Sequence, residues 1–191
     1  ASASLPVAAS TYDSPFYFVI RHAIALGLAV TAGLVCFSVP VRWWERSGPL
    51  LFIVGLAMLA LVLVPGVGRS ANGATRWIPL GPLNIQSSEF MKFFAVIYVS
   101  GFLVRRQADV TNTILGFVRP MIPMALASLL ILAEPDFGTT AVMLATVMGL
   151  LFLGGVPLVN FMVLLGMVGV ALAALIVFEP YRLERLTSFT D

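Results

Sequence analysis

Residues 50–64 read LLFIVGLAMLALVLV, and this stretch decides the fold class. It is apolar on every face, so neither a half-exposed helix nor an alternating β-strand fits it. The whole chain of 191 residues has the same character, with 60% hydrophobic and only 10% charged residues. Soluble domains carry about 25% charged residues. The composition therefore predicts an integral membrane protein with an all-α fold, a polytopic transmembrane helical bundle.

Six apolar segments approach the roughly 20 residues that a helix needs to cross a bilayer. The predicted spans are residues 17–39, 50–67, 88–104, 114–133, 139–153 and 158–178. No polar domain separates them, so residues 1–191 are expected to form a single transmembrane domain. The net charge of +2 is too small to indicate a nucleic-acid partner. The chain does not start with Met and ends soon after a charged segment begins, so we expect it to be a fragment.

Two charged residues, Glu89 and Lys92, stand at the head of the third predicted span. Ionisable groups at that depth are costly unless they face a polar cavity, so they mark a candidate site. Their spacing of three residues places both on one helix face. They form either an internal ion pair or part of an outward-facing cavity. In that cavity Lys92 would attract a phosphate, and Glu89 would keep Lys92 charged or bind a cation.

A second acidic pair, Glu134 and Asp136, flanks Pro135 between the fourth and fifth predicted spans. Asp136 is a candidate N-cap for the helix that follows, because aspartate commonly accepts a hydrogen bond from the first helical turn. Together with Glu89, the two carboxylates could also supply oxygen ligands to a divalent cation such as Mg²⁺ or Mn²⁺. The spacing does not decide between the two roles or name the metal.

Arginines near the predicted spans are candidates for contact with an anionic headgroup. Residues 73–81 read GATRWIPLG and are predicted to form a tight loop or a short re-entrant piece. Within it, Arg76 could bind a phosphate with its guanidinium fork, and Trp77 could anchor the loop at the membrane interface. The alternative is a loop that simply packs at headgroup level. Arg182 follows the last span and belongs either to a solvated face or to a lipid-phosphate contact.

Four motifs together resemble the SEDS (shape, elongation, division and sporulation) family, most closely its division branch. They are GATRWI at 73–78, IQSSEFMK at 85–92, EPDFGT at 134–139 and EPYR at 179–182. The chain departs from the usual motifs at two positions. Ser87 stands where the family usually has proline, and Glu134 stands where it usually has glutamine.

The resemblance implies a peptidoglycan glycosyltransferase that polymerises lipid II during septal cell-wall synthesis in the bacterial cytoplasmic membrane. The implied partners are a class B penicillin-binding protein transpeptidase and other membrane proteins of the division machinery. Family members have about ten spans, and this chain resembles the second to the seventh. The expected catalytic aspartate lies beyond Asp191, so no catalytic residue is assigned within the chain.

The remaining site residues divide into two groups under this hypothesis. Substrate binding is assigned to Arg76, Trp77, Lys92 and Arg182, whereas Glu89, Glu134 and Asp136 would shape the cavity or hold the cation. The alternatives are an elongation-type polymerase of the same family and a flippase for lipid-linked precursors. A flippase predicts a polar path to the opposite membrane face, but residues 154–157 at that end carry no charge.

Overall fold

The structure is a computed structural model, and it describes residues 16–71, 74–80 and 83–177. Within these ranges the chain forms six α-helices and a three-stranded antiparallel sheet between the second and third helices. The helices are α1 (Tyr17–Ser38), α2 (Val41–Val62), α3 (Ser87–Asn112), α4 (Ile114–Ala133), α5 (Phe137–Leu153) and α6 (Leu158–Val177). The strands are β1 (Arg69–Ala71), β2 (Ala74–Leu80) and β3 (Leu83–Gln86). The chain divides into two compact units, Ala1–Trp43 and Trp44–Asp191, and the packing described below belongs to the second.

Length and composition make three of the described helices, α2, α3 and α4, able to cross a membrane. Shorter apolar helical stretches cover His22–Ser38, Phe137–Leu153 and Leu158–Ala171. Many exposed side chains on these helices are Leu, Ile, Val and Phe. Such a surface suits lipid, because hydrocarbon tails are as apolar as these side chains. The predicted fold class, a polytopic helical membrane protein, is confirmed.

Two helices extend beyond the apolar segments that marked them. Helix α2 begins at Val41, ahead of the predicted Leu50, and ends at Val62 with Pro49 inside it. Helix α3 continues to Asn112 instead of Val104, with a break at Arg106, where φ is −131° and ψ is 28°. Hydropathy locates the part of a helix that suits the hydrocarbon, whereas the backbone hydrogen bonds continue through the flanking charged residues.

Helix α3 is the centre of the second unit and packs against both α4 and α5, while α5 also contacts α6. Its inner face carries Met91, Ala95 and Val99, which are spaced four residues apart and completely buried. Buried residues from the neighbouring helices complete this core: Met124, Ala127, Ile131, Met143, Val147 and Leu151. Apolar packing of this kind holds α3, α4 and α5 together.

Helices α2 and α3 approach each other closely at two glycines of α2. A Cβ atom at Gly55 would lie 2.6 Å from the Met91 sulfur and 3.0 Å from a ring carbon of Phe94. A Cβ at Gly48 would lie 3.3 Å from the carbonyl oxygen of Ile97. The absence of a side chain at both positions therefore allows the contact, as expected for small residues between membrane helices.

The segment predicted as a loop or re-entrant piece is instead the central strand of the sheet, and this corrects the sequence-based expectation. Strand β2 pairs with β1 through Ala71 and Ala74, and with β3 through Leu80 and Leu83. The two members of each pair are separated by two residues in the sequence, which is the spacing of a two-residue hairpin. The sequence signal that was missed is Asn72-Gly73, a dipeptide typical of such hairpins.

Candidate functional site

Asp136 is the centre of a buried polar cluster at the start of α5. Its Oδ1 accepts a hydrogen bond from the Thr139 backbone N–H at 3.3 Å, so the predicted N-cap is confirmed. Its Oδ2 accepts from Gln86 Nε2 at 3.0 Å and from Ser88 Oγ at 3.1 Å. The Arg76 Nη1 atom lies 3.4 Å from Oδ1. Both oxygens of this buried carboxylate therefore have polar partners, which offsets the cost of burying it.

Three separate elements bring these partners to Asp136. Arg76 lies on the central strand β2, while Gln86 is both the last residue of β3 and the N-cap of α3. Ser88 lies in the first turn of α3. Trp77 pairs with Gln86 across the sheet, so the register of β2 and β3 places Arg76 near the start of α3. The sheet therefore positions a cation beside the capping carboxylate.

Glu134 is a second buried carboxyl group, located just after the end of α4. The Ser87 hydroxyl donates to its Oε1 at 3.2 Å and also lies 3.4 Å from its Oε2. Burial raises the pKa of Glu134 from 4.5 to about 7; the Ser87 hydrogen bond opposes this shift, the negative Asp136 adds to it, and Arg76 opposes it. The Glu134 carboxyl group therefore keeps its proton to a higher pH than an exposed glutamate does.

Glu89 and Lys92 form their own ion pair on the outer side of α3, with Lys92 Nζ 2.9 Å from Glu89 Oε1. The exposed fraction of the side chain is 55% for Glu89 and 28% for Lys92. Lys92 lies four residues after Ser88 and so one helical turn along the same face. The ion pair anticipated from the sequence is therefore present, and Lys92 remains partly accessible.

The structure thus groups the predicted site residues in two sets. Arg76, Glu134 and Asp136 belong to the buried cluster, and Glu89 and Lys92 form the more exposed pair. Trp77 is half-buried on β2, and Arg182 lies outside the described residues. Sequence reasoning did not select Gln86, Ser87 and Ser88 as site residues, although three consecutive polar residues before an apolar helix are an available signal. No buried side-chain nitrogen or oxygen in the described residues lacks a hydrogen-bond partner.

The described residues do not fit the predicted divalent-cation site. Within the ranges that the structure describes, no group of three or more His, Cys, Asp or Glu side chains comes together. The Asp136 oxygens already accept hydrogen bonds and face Arg76, while Glu134 contacts Ser87. These donors leave the two carboxylates little free coordination capacity. No chemical step is therefore derived through a metal.

A cleft of about 330 Å³ opens beside the buried cluster. It lies between the end of α2, the sheet and the turn that joins α4 to α5. Pro135, which separates the two buried carboxyl residues, forms part of its wall. The other lining residues are Val62, Leu63, Val64, Pro65, Gly66, Gly68, Thr75 and Ala133. The cleft gives this end of the helices a concave surface beside Thr75 and Pro135.

The described residues define the class of protein. They form a bundle of apolar helices that carries a hairpin sheet, a capping carboxylate and nearby cations at one end. This is a polytopic membrane protein with a polar site. The sequence model for the cell cycle proteins FtsW, RodA and SpoVE matches residues 1–191. The chain belongs to this family, and the resemblance to SEDS proteins is confirmed.

Curated relatives match the chain along its whole length. It is 60% identical over 190 residues to a probable peptidoglycan glycosyltransferase FtsW from Allochromatium vinosum, covering 100% of this chain and 48% of the relative. It is 46% identical over 190 residues to the protein of the same description from Pseudoalteromonas atlantica, covering 100% of this chain and 39% of the relative. The chain therefore spans about half the length, or less, of these relatives.

Solved structures share the fold. The Thermus thermophilus rod shape determining protein RodA superimposes with a TM-score of 0.69 at 30% identity, covering 82% of this chain and 49% of RodA. A chain from a peptidoglycan synthase complex, described as coordinating polymerization and crosslinking, superimposes with a TM-score of 0.75 at 26% identity. That match covers 97% of this chain and 54% of the other.

Proposed function

We propose that the protein containing this chain is a peptidoglycan glycosyltransferase that polymerises lipid II at the division septum. The observation that carries the proposal is the pair of partly exposed cations at one end of the helices, Arg76 beside Asp136 and Lys92 beside Glu89. Membership of the FtsW/RodA/SpoVE family supports the reaction class. The FtsW description of the curated relatives supports the division role.

The reaction requires positive charge beside the leaving group. A hydroxyl oxygen of the acceptor sugar forms a bond to the anomeric carbon of the donor, and the bond from that carbon to the lipid diphosphate breaks. A carboxylate base takes the hydroxyl proton, and the diphosphate departs with increased negative charge. In this proposal the base is the aspartate expected beyond Asp191.

Arg76 and Lys92 are suited to the diphosphate for different reasons. The Arg76 guanidinium carries five N–H donors and uses only one face toward Asp136, so other donors remain for phosphate oxygens. Lys92 offers a compact ammonium that lies 2.9 Å from Glu89 Oε1 and is partly exposed. Asp136 and Glu134 are buried supports of the site in this mechanism, because their side chains face protein donors.

The protein is proposed to act in the cytoplasmic membrane together with a class B penicillin-binding protein transpeptidase and other division proteins. The similarity to a chain from a peptidoglycan synthase complex supports such a partnership. A fluorescent fusion of the complete protein should concentrate at midcell. A uniform distribution along the side wall would instead favour the elongation-type role.

The test is polymerisation of purified lipid II by the complete protein with its partner transpeptidase. Because each cation is proposed to contact the diphosphate, Arg76→Ala and Lys92→Ala should each lower the rate by about tenfold or more. Arg106→Ala is the matched control, since Arg106 pairs with Asp109 in an exposed i, i+3 ion pair on the other half of α3. Wild-type rates in both site variants would refute the proposed roles of Arg76 and Lys92.

Two further measurements separate this function from its alternatives. Treatment with EDTA tests whether the activity needs a divalent cation such as Mg²⁺ or Mn²⁺, and such a need would appear as lost activity that either ion restores. Reconstitution in vesicles tests for a flippase, which would move lipid II between leaflets without lengthening glycan strands.

A further inference from the structure

Two tripeptides far apart in the sequence are joined side by side in the structure. Gln86, Ser87 and Ser88 contact the segment from Glu134 to Asp136. The outer two donate to Asp136, at 3.0 Å from Gln86 and 3.1 Å from Ser88. The middle residue, Ser87, donates to Glu134 at 3.2 Å. Each tripeptide thus fixes the position of the other.

Ser87 and Glu134 hydrogen-bond to each other, whereas the salt bridge of Arg76 is formed with Asp136. Both residues have no exposed surface, so neither can reach a substrate. A buried carboxyl group is costly unless a donor satisfies it, and the Ser87 hydroxyl is such a donor. Ser87 is the first residue of α3, and Glu134 follows the last residue of α4. The contact therefore ties the start of one helix to the end of the next.

We propose that Ser87 and Glu134 form a positioning pair that sets the location of Asp136 and, through it, of Arg76. Ser87 lies between the two residues that donate to Asp136, and Glu134 lies two residues before Asp136. Loss of the pair would let the two tripeptides shift against each other. The capping carboxylate and the guanidinium beside it would then lose their fixed geometry. The functional part of this inference rests on the proposed glycosyltransferase activity.

Three variants of the complete protein test the pair: Ser87→Ala, Glu134→Gln and the double variant. Ser87→Ala removes the hydroxyl group, so the buried Glu134 carboxyl group loses this hydrogen-bond donor. It should lower the Tm of the detergent-purified protein by about 5 °C. Glu134→Gln keeps an acceptor for Ser87 and removes a charge, so its Tm should change little. In the double variant, the uncharged glutamine should recover at least half of the Tm lost in Ser87→Ala.

The kinetics of lipid II polymerisation, measured with the partner transpeptidase present, distinguish a positioning role of the pair from a general loss of stability. If Arg76 moves, the diphosphate of the bound donor loses a contact, so Ser87→Ala should raise the KM for lipid II about fivefold in addition to any fall in kcat. The added Glu134→Gln substitution should return KM toward the wild-type value. A purely structural role would lower the fraction of active protein, and therefore kcat, without changing KM.

The Tm measurements and the kinetic measurements test different parts of the proposal, and each has its own contradicting outcome. Additive Tm changes, or a double variant no more stable than Ser87→Ala, would overturn the pair whether or not the protein polymerises lipid II. Non-additive Tm changes in the double variant, together with an unchanged KM, would overturn the positioning role and leave the proposed activity intact. An inactive wild-type protein would refute the proposed function, and the Tm cycle would still decide whether the pair exists.

Discussion

Replacing Asp136 by alanine should destabilise the protein more than any loss of an exposed ion pair. Asp136→Ala removes the N-cap of α5, at a cost of about 1 kcal/mol. It also leaves the buried Ser88 hydroxyl without its acceptor, at about 1–1.5 kcal/mol, and removes one of the two acceptors of the half-buried Gln86 amide, at about 1 kcal/mol. The Arg76 side chain is 27% exposed, so its ion pair adds little. The total is about 3–4 kcal/mol, or about 10 °C in Tm for a domain of this size.

The measurement is thermal unfolding of the purified protein in detergent, followed by size-exclusion chromatography after heating. Asp136→Asn should lose about half as much, because its amide oxygen still accepts one of the donors. Asp109→Asn is the control, since Asp109 belongs to an exposed ion pair with Arg106 and should cost less than about 1 kcal/mol. If Asp136→Ala changed the Tm no more than Asp109→Asn does, the buried cluster would not have the stabilising role derived from its geometry.

Two other predictions concern pH and helix packing. The pKa of Glu134 is raised from 4.5 to about 7, so its contribution to stability is complete below pH 4.5 and is lost as the pH rises through about 7. Between those values the wild-type Tm should fall relative to that of Glu134→Gln, which has no proton to lose; parallel Tm curves would contradict the pKa. Gly55→Ala should lower the Tm by about 2–6 °C, because the new Cβ would press on Met91 and Phe94 between α2 and α3. The control is Gly149→Ala, where a Cβ would meet no atom within 4 Å, and equal effects at both glycines would argue against the close approach.

The sequence predicts the helical membrane fold well because hydropathy alone carries that information. Residues 114–133 are apolar apart from Arg119 and Ser128, and α4 has these same bounds. The sheet was not predicted, since a three-strand element of short strands has no strong hydropathy signal. The Asn72-Gly73 dipeptide was the available indication.

The sequence analysis selected the charged residues of the candidate site but did not predict the hydrogen bonds that join them to distant segments. Asp136 was a candidate cap, and Glu89 with Lys92 a candidate ion pair, because both arrangements are local in sequence. The ties from Gln86, Ser87 and Ser88 to the segment at 134–136 join residues 47 to 50 positions apart. Such contacts depend on how α3 and α4 pack, and one sequence gives no pattern for that packing.

The long-range ties also bear on how the protein is assembled in the membrane. Most of α3 and all of α4 lie between the two tripeptides, so the polar contacts close a loop of two helices. Gln86 and Asp136 can meet only after both helices have been synthesised. We therefore expect this cluster to form after α4 has been inserted, later than the contacts within each helix.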